Sequence, residues 1–431
     1  MGPARFYPLA AASRTGDGVT ATTPLTLGRA WDVVDRLVTS IAFACPDIRA
    51  LEPAGDLRRC EPLASSVILV GSSVDPRGTL STILSLFNPR DLIERTDDRL
   101  VLGYLNAAVD IRIATPVAFG TMLLHATGTA KHVEQLTALG AHLTNRFSSE
   151  AEIYASIGLP YIPPEIRFGA GEIDAAKAGE LPTLVDVSNV RGDLHMHTTY
   201  SDGRDSVRAM VEGCHALGYE YMAITDHSSG ASASRTMSIE SVREQRAEIE
   251  ALRDEFAPMT ILHGVEVDIR PDGSLDFSDD LLEKFDVVLA SLHEHARQSG
   301  QQLTERTLAA INHPLVNVVC HPANQLVGRH PGYTLDFDAI YRAAADTGTA
   351  LEIDGAPSHM DLDATRARAA ADSGVTLVLD SDCHRVEALE RQMRFSVGTA
   401  RRAWLTSDNI LNTRPLAELR EFIQAKRRGS R

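Results

Sequence analysis

Between residues 192 and 384 the sequence repeats one pattern seven times: a short apolar run of strand character, then a stretch of helical period. The runs are Gly192–His197, Tyr221–Asp226, Thr260–Asp268, Val287–His293, Val316–His321, Ala350–Asp354 and Val375–Asp382. Strands that alternate with helices pair in parallel, so the pattern predicts an α/β fold whose sheet closes, or nearly closes, into a barrel. Histidines and acids recur where these runs stop. His195 and His197 end the first at spacing i, i+2, which points both imidazoles to one side. Asp202 follows in a Ser-Asp-Gly turn, His227 ends the second run, and Glu266 lies near the end of the third. His293 and His321 end the fourth and fifth, and Asp382 with His384 ends the last. In a parallel α/β barrel these ends open onto a single face. A lone histidine at a strand end is ordinarily a hydrogen-bonded loop residue. Nine donors at one topological position point instead to divalent metal ions, and imidazole with carboxylate suits zinc, manganese or iron. Cys320 and Cys383 each precede a donor by one residue. Strand alternation aims them at the opposite face as packing residues.

The rest of the chain narrows the class. Its 431 residues suffice for two domains, and the five cysteines are odd in number with no CxxC spacing. That suits a reducing compartment, and no run of about 18 apolar residues suggests a membrane span. The expectation is a soluble cytoplasmic protein without membrane partners. A formal net charge of −16 argues against broad, nonspecific gripping of DNA phosphates, although a local basic patch can serve. The basic run Lys426-Arg427-Arg428 reads as a solvated tail.

Residues 1–24 read as a loosely ordered start. From 25 to 185 the text mixes elements. Arg29–Phe43 has helical period, Ser66–Val70 is an apolar strand, Arg99–Tyr104 with Ala108–Ile113 reads as a hairpin, and Thr129–Leu139 is a helix. The Pro/Gly-rich passage from Gly158 to Pro182 reads as a linker that also packs. The barrel then occupies 190–425.

These motifs carry a family resemblance. Asp193-Leu-His-Met-His197, Tyr200-Ser-Asp-Gly203, Thr225-Asp-His227, Gly264-Val-Glu-Val-Asp268, Ser291-Leu-His293, Cys320-His-Pro322 and Asp382-Cys-His384 resemble the motifs of polymerase-and-histidinol-phosphatase (PHP) domains. The resemblance implies a distorted (β/α)₇ barrel with three metal ions. By that analogy His195, His197, Glu266 and Asp382 hold one ion, and Glu266 bridges to a second held by His293 and His321. Asp202, His227 and His384 then hold the third. Asp193, Asp226 and Asp268 are placed to fix histidine tautomers. Gly158-Leu-Pro-Tyr-Ile-Pro-Pro-Glu165, Phe119–Lys131, Gly328–Tyr333 and Asn412–Leu416 are similar to segments of bacterial family X DNA polymerases, which carry such a barrel at the C-terminus.

Polymerisation in that family requires three palm aspartates for two magnesium ions. At two of those positions this chain has Ser65 and Val67; only Asp110 survives, and Asp56 puts negative charge where a triphosphate would sit. About 24 residues precede the palm-like segment, which leaves no room for the family's N-terminal DNA-gripping region. The expectation is a degenerate palm/thumb-like α+β region that docks on the barrel, covers part of the site or mediates self-association. The barrel is expected to hydrolyse phosphate esters, with Arg329 and Arg297 as phosphate-binding residues. His359 and His295 are candidates to protonate the leaving group. The resemblance implies 3′-to-5′ processing of single-stranded DNA ends; the alternatives are a small-molecule phosphatase or cyclic phosphodiesterase, and a silent binding module.

Overall fold

The computed structural model describes residues 23–231, 235–293 and 297–429, so the predicted loose start up to residue 22 and the candidate His295 lie outside the described residues. The chain divides into two compact units, the first ending at Leu181 and the second starting at Pro182.

The first unit is α+β. Helix Leu27–Ala44 buries Leu27, Ala30, Val33, Val34, Leu37 and Ile41, the one-sided stripe its helical period predicts. A five-stranded sheet runs in the order Ala50–Ala54, Val67–Ser72, Ala107–Ala114, Arg99–Tyr104, Leu92–Arg95. Its hairpin turns at Leu105 and Asn106, with φ of 49° and 65°. Two left-handed residues match the twist of the flanking strands. The linker passage packs as expected: Ile162, Ile166 and Arg167 are all buried. Arg167 donates to the Ile162 carbonyl at 2.9 Å, pairs with Glu150, and lies over the rings of Tyr154 and Tyr161. Arg58 pairs with the same carboxylate at 2.8 Å. Burial alone would raise the Glu150 pKa, but hydrogen bonding and charge from Arg58 and Arg167 outweigh it and hold the carboxyl below its usual range.

The second unit is the predicted barrel. Seven parallel strands follow one another in chain order around the sheet: Gly192–Asp193, Tyr221–Ile224, Thr260–Asp268, Val287–Ser291, Val318–Val319, Ala350–Asp354 and Leu377–Asp380. A parallel bridge between Met196 and Cys383 links the first and last, so the ring nearly closes. Inward-facing Leu194, Ala223, Leu262, Leu289, Val318 and Val378 fill the interior, and Leu419 and Ile423 of the last helix, Leu416–Gly429, join the same cluster. Outward-facing Val265, Val267, Val288, Ala290, Leu351, Ile353, Leu377 and Leu379 pack in the cluster under the surrounding helices. Five of the seven strands are shorter than the apolar runs, because the chain leaves the ladder before the donor residues; Thr260–Asp268 and Ala350–Asp354 keep the full length of theirs. Among the described residues no helix is long and apolar enough to cross a membrane.

The Arg58–Glu150–Arg167 network yields a test. Removing one partner of a buried ion pair typically costs about 3–5 kcal/mol, because the remaining charge stays buried. Arg167→Leu is expected to destabilise the first unit by that order in urea unfolding. Because the Glu150 pKa is lowered on folding, this contribution is present above the ordinary glutamate pKa and is lost as the pH falls through the folded value. A loss below about 1 kcal/mol would contradict the assignment.

Candidate metal centre

All nine donors read from the sequence meet at the barrel mouth. His195 and His197 lie just past the first strand, where extended backbone keeps both imidazoles on one side, their Nε2 atoms 3.1 Å apart. A Cβ on Gly203 would fall 2.5 Å from the His197 carbonyl carbon, so glycine lets the Ser-Asp-Gly turn fold against the strand end. That turn brings Asp202 Oδ1 to 3.4 Å from His227 Nε2 and 3.3 Å from His384 Nε2. Glu266 lies at the centre. Its Oε1 is 3.2 Å from His293 Nε2 and 2.9 Å from His321 Nε2. Its Oε2 is 3.4 Å from His195 Nε2, 3.5 Å from His197 Nε2 and 2.7 Å from His227 Nδ1. Asp382 Oδ1 lies 3.1 Å from His197 Nε2 and 3.7 Å from His195 Nε2. The His197 ring stacks between those of His227 and His384, at 4.3 Å from each.

Only some of these contacts are hydrogen bonds, such as that between His321 Nε2 and Glu266 Oε1. Glu266 Oε2, Asp202 Oδ1 and His227 Nδ1 are enclosed and have no hydrogen-bond partner, despite the crowd of nitrogens and oxygens nearby. Buried polar atoms left this way are rare, and lone pairs that converge on a common point are what a cation requires. Four overlapping groups have ligand atoms within 4.8 Å of one another: His195, Glu266, Cys320 and His321; His197, Asp202, His227 and His384; His195, His197 and Asp382; His227, Glu266 and His293. The grouping differs from the analogy: His195 and His321 group together with Cys320, His197 also reaches the Asp202 group, and His227 also reaches Glu266.

The electrostatics favour positive charge here. Burial opposes ionisation of Glu266, yet His227 and His293 outweigh it and hold the carboxyl well below its usual range. Burial would lower His293, but Glu266 and Asp268 raise it to about 10. Burial works the same way on His384, and Asp202 with Asp382 raises it to about 9. His197 instead falls to about 4, through burial and the neighbouring His227 and His384. Such a carboxylate field attracts protons or, with far more charge per site, divalent cations.

The supporting residues depart from expectation. Asp268 does meet a ring, accepting from His293 Nδ1 at 3.1 Å. Asp193 instead accepts from the backbone N–H of His195 and Ser381, and Asp226 holds Thr198, Ser201 and Gln245. Sequence reasoning missed Glu352. It is fully buried, 2.6 Å from His195 Nδ1, and accepts the His321 backbone N–H at 2.6 Å. Its signal was an acid inside the apolar strand Ala350–Asp354. Cys320 is a second correction. It faces the barrel interior in step with Val318, its Sγ 3.5 Å from Glu266 Oε1. His321 reaches the same side because its φ is +29°, which breaks the alternation. Cys383 does pack away from the site, beside Met196 and Cys214.

Of the residues proposed for substrate, His359 sits with its ring 5.8 Å from that of His321. Burial, then the charge of His321, lowers its pKa. Arg329 is exposed in a turn closed by the Leu326–His330 bridge. That turn is tied to the His359 loop, since Val327 donates to the Ser358 carbonyl and Gln325 Nε2 to the His359 carbonyl. Arg297 is exposed with a left-handed φ of 56°, next to residues outside the description.

In the first unit the palm-like acids have structural partners. Asp110 is buried between Arg99 and Arg112, at 3.0 and 2.8 Å. Ser65 donates through its backbone and hydroxyl to Asp56, which also pairs with Arg59. Among the described residues, none of the four metal-competent groups lies in this unit.

Comparisons with known proteins agree with this geometry. The PHP domain family matches residues 193–344. The DNA polymerase/3′-5′ exonuclease PolX of Bacillus subtilis is 35% identical over 390 residues, covering 86% of this chain and 68% of that protein. A probable phosphatase of Syntrophotalea carbinolica is 32% identical over 168 residues, covering 37% of this chain and 64% of its own. One from Thermoanaerobacter is 26% identical over 250 residues, covering 55% and 95%. Fold and site thus define a metal-dependent phosphoesterase with a PHP barrel. The chain belongs to the family X DNA polymerases that carry such a domain.

Glu352 supplies the test of this site. Residues that orient metal-binding histidines typically contribute about 10–100-fold in metal affinity. Glu352→Gln is expected to weaken metal binding by that factor in chelator competition, with circular dichroism unchanged. An unaltered affinity would remove Glu352 from this role.

Proposed function

We propose that the barrel holds three divalent ions, zinc, manganese or iron, on His195, His197, Asp202, His227, Glu266, His293, His321, Asp382 and His384. With them it hydrolyses phosphodiester bonds at DNA 3′ ends, and the chain has no polymerase activity. One observation carries this reading: the relative named as a 3′-5′ exonuclease matches across both units, while among the described residues the groups of convergent metal donors all lie in the barrel. The pairing of Asp110 with two arginines and the hydroxyl at Ser65 support loss of nucleotide addition.

Divalent cations at this site would supply a hydroxide nucleophile near neutral pH and neutralise charge on the phosphate oxygens. The chain's own residues supply position and proton traffic. Glu352 and Asp268 keep the His195 and His293 rings oriented. His359, whose ring lies 5.8 Å from that of His321, would relay a proton to the departing oxygen. Arg329, on the turn tied to the His359 loop, offers a forked donor for a nonbridging phosphate oxygen.

A second reading, a small-molecule phosphatase, is favoured by the net charge of −16 and by the probable phosphatases that match over the barrel. One assay separates the two. The protein with Mn²⁺ or Zn²⁺ is given labelled single-stranded DNA, histidinol phosphate and a panel of phosphomonoesters. The expected result is stepwise trimming from the 3′ end, reduced by about 100-fold or more in Asp382→Asn, and no nucleotide incorporation on a gapped template. Turnover of monoesters alone would transfer the function to the second reading. Incorporation would refute the assignment of Ser65 and Val67 to the aspartate positions.

A further inference from the structure

The donors of the centre differ in burial. His195, His197, Glu266 and Cys320 are completely buried, and His321 is 4% exposed. At the mouth, by contrast, the Asp202, His293 and His384 side chains are 19%, 20% and 36% exposed. We propose that the Cys320 thiolate is itself a metal ligand, which with His195, Glu266 and His321 closes a four-donor site that takes zinc in preference to manganese. This rests on the metal-binding reading above and adds to it a ligand, the identity of one of its ions and a division of labour.

The geometry carries the assignment. Candidate ligand atoms of the four residues lie within 4.8 Å of one another. Zinc bonds of ~2.3 Å to sulfur and ~2.0 Å to oxygen, at a tetrahedral angle, separate the two donors by roughly 3.5 Å. The observed separation of Cys320 Sγ from Glu266 Oε1 is 3.5 Å. His195 is committed through Nδ1 to Glu352, which leaves Nε2 for the site. His321 presents Nε2 to the same Glu266 oxygen at 2.9 Å. As the sulfur–metal bond forms, the thiol proton leaves to solvent buffer, with no change of oxidation state. A thiolate favours zinc over manganese, which prefers oxygen and nitrogen. Four protein donors also leave no open position, so this ion is structural, and substrate and water meet the ions nearer the mouth.

The test uses the full chain loaded with cobalt(II), whose bond to a thiolate gives a near-ultraviolet charge-transfer band. The wild type is expected to show the band, Cys320→Ala and Cys320→Ser to lose it, and Cys383→Ala to keep it. Zinc retention against excess manganese is expected to fall by about tenfold or more in Cys320→Ala. If cobalt binds but the wild type shows no band, or both Cys320 variants keep it, thiolate ligation is overturned while the metal centre stands. If no cobalt binds at all, the metal centre itself is overturned.

Discussion

The second unit is organised around one carboxylate. Glu266 is wholly buried, and imidazole nitrogens of five histidines lie within 3.5 Å of its two oxygens. Removing a carboxylate from water costs several kcal/mol even after relaxation, so the side chain persists there only with compensating positive charge. The compensating residues span His195 to His321, too far apart in sequence for local structure to gather them. Closure of seven parallel strands does gather them, and the Met196–Cys383 bridge brings Asp382 and His384 to the same mouth. The barrel is therefore the device that makes the centre affordable, and its donors become progressively less buried toward solvent.

Much of this was legible in the sequence, for a definite reason. His195-x-His197 and Asp382-x-His384 carry a spacing that keeps two donors on one side of extended chain, so their convergence follows from elementary geometry. The hairpin at Leu105-Asn106 and the helix from Leu27 were legible because hydrophobic period and burial coincide there. Failures occurred where periodicity stops. Alternation counted back from His321 misplaced Cys320, because the left-handed backbone at His321 turns its own side chain to the side that Cys320 faces. Glu352 was overlooked because its role depends on His195, 157 residues away, and no local pattern marks a partner so distant.

In the first unit the acids that the sequence singles out are held by structural partners. Asp110 remains on its strand, but its charge is spent on Arg99 and Arg112. The hydroxyl of Ser65 binds Asp56, which is itself paired with Arg59. Engaged by guanidinium groups in this way, Asp110 ties its strand to the neighbouring strand of Arg99 and is poorly placed to collect magnesium. The sheet register of Val67–Ser72 against Val109–Ala114 runs unbroken over six consecutive pairs.

The claim that divalent cations compensate Glu266 is tested most directly by elemental mass spectrometry of protein purified without chelator, for wild type and Glu266→Gln side by side. Glu266 touches donor groups through both of its oxygens. The account predicts several equivalents of transition metal in the wild type, and loss of more than one in the variant. A folded wild-type protein free of metal, or a variant with unchanged metal content, would contradict it.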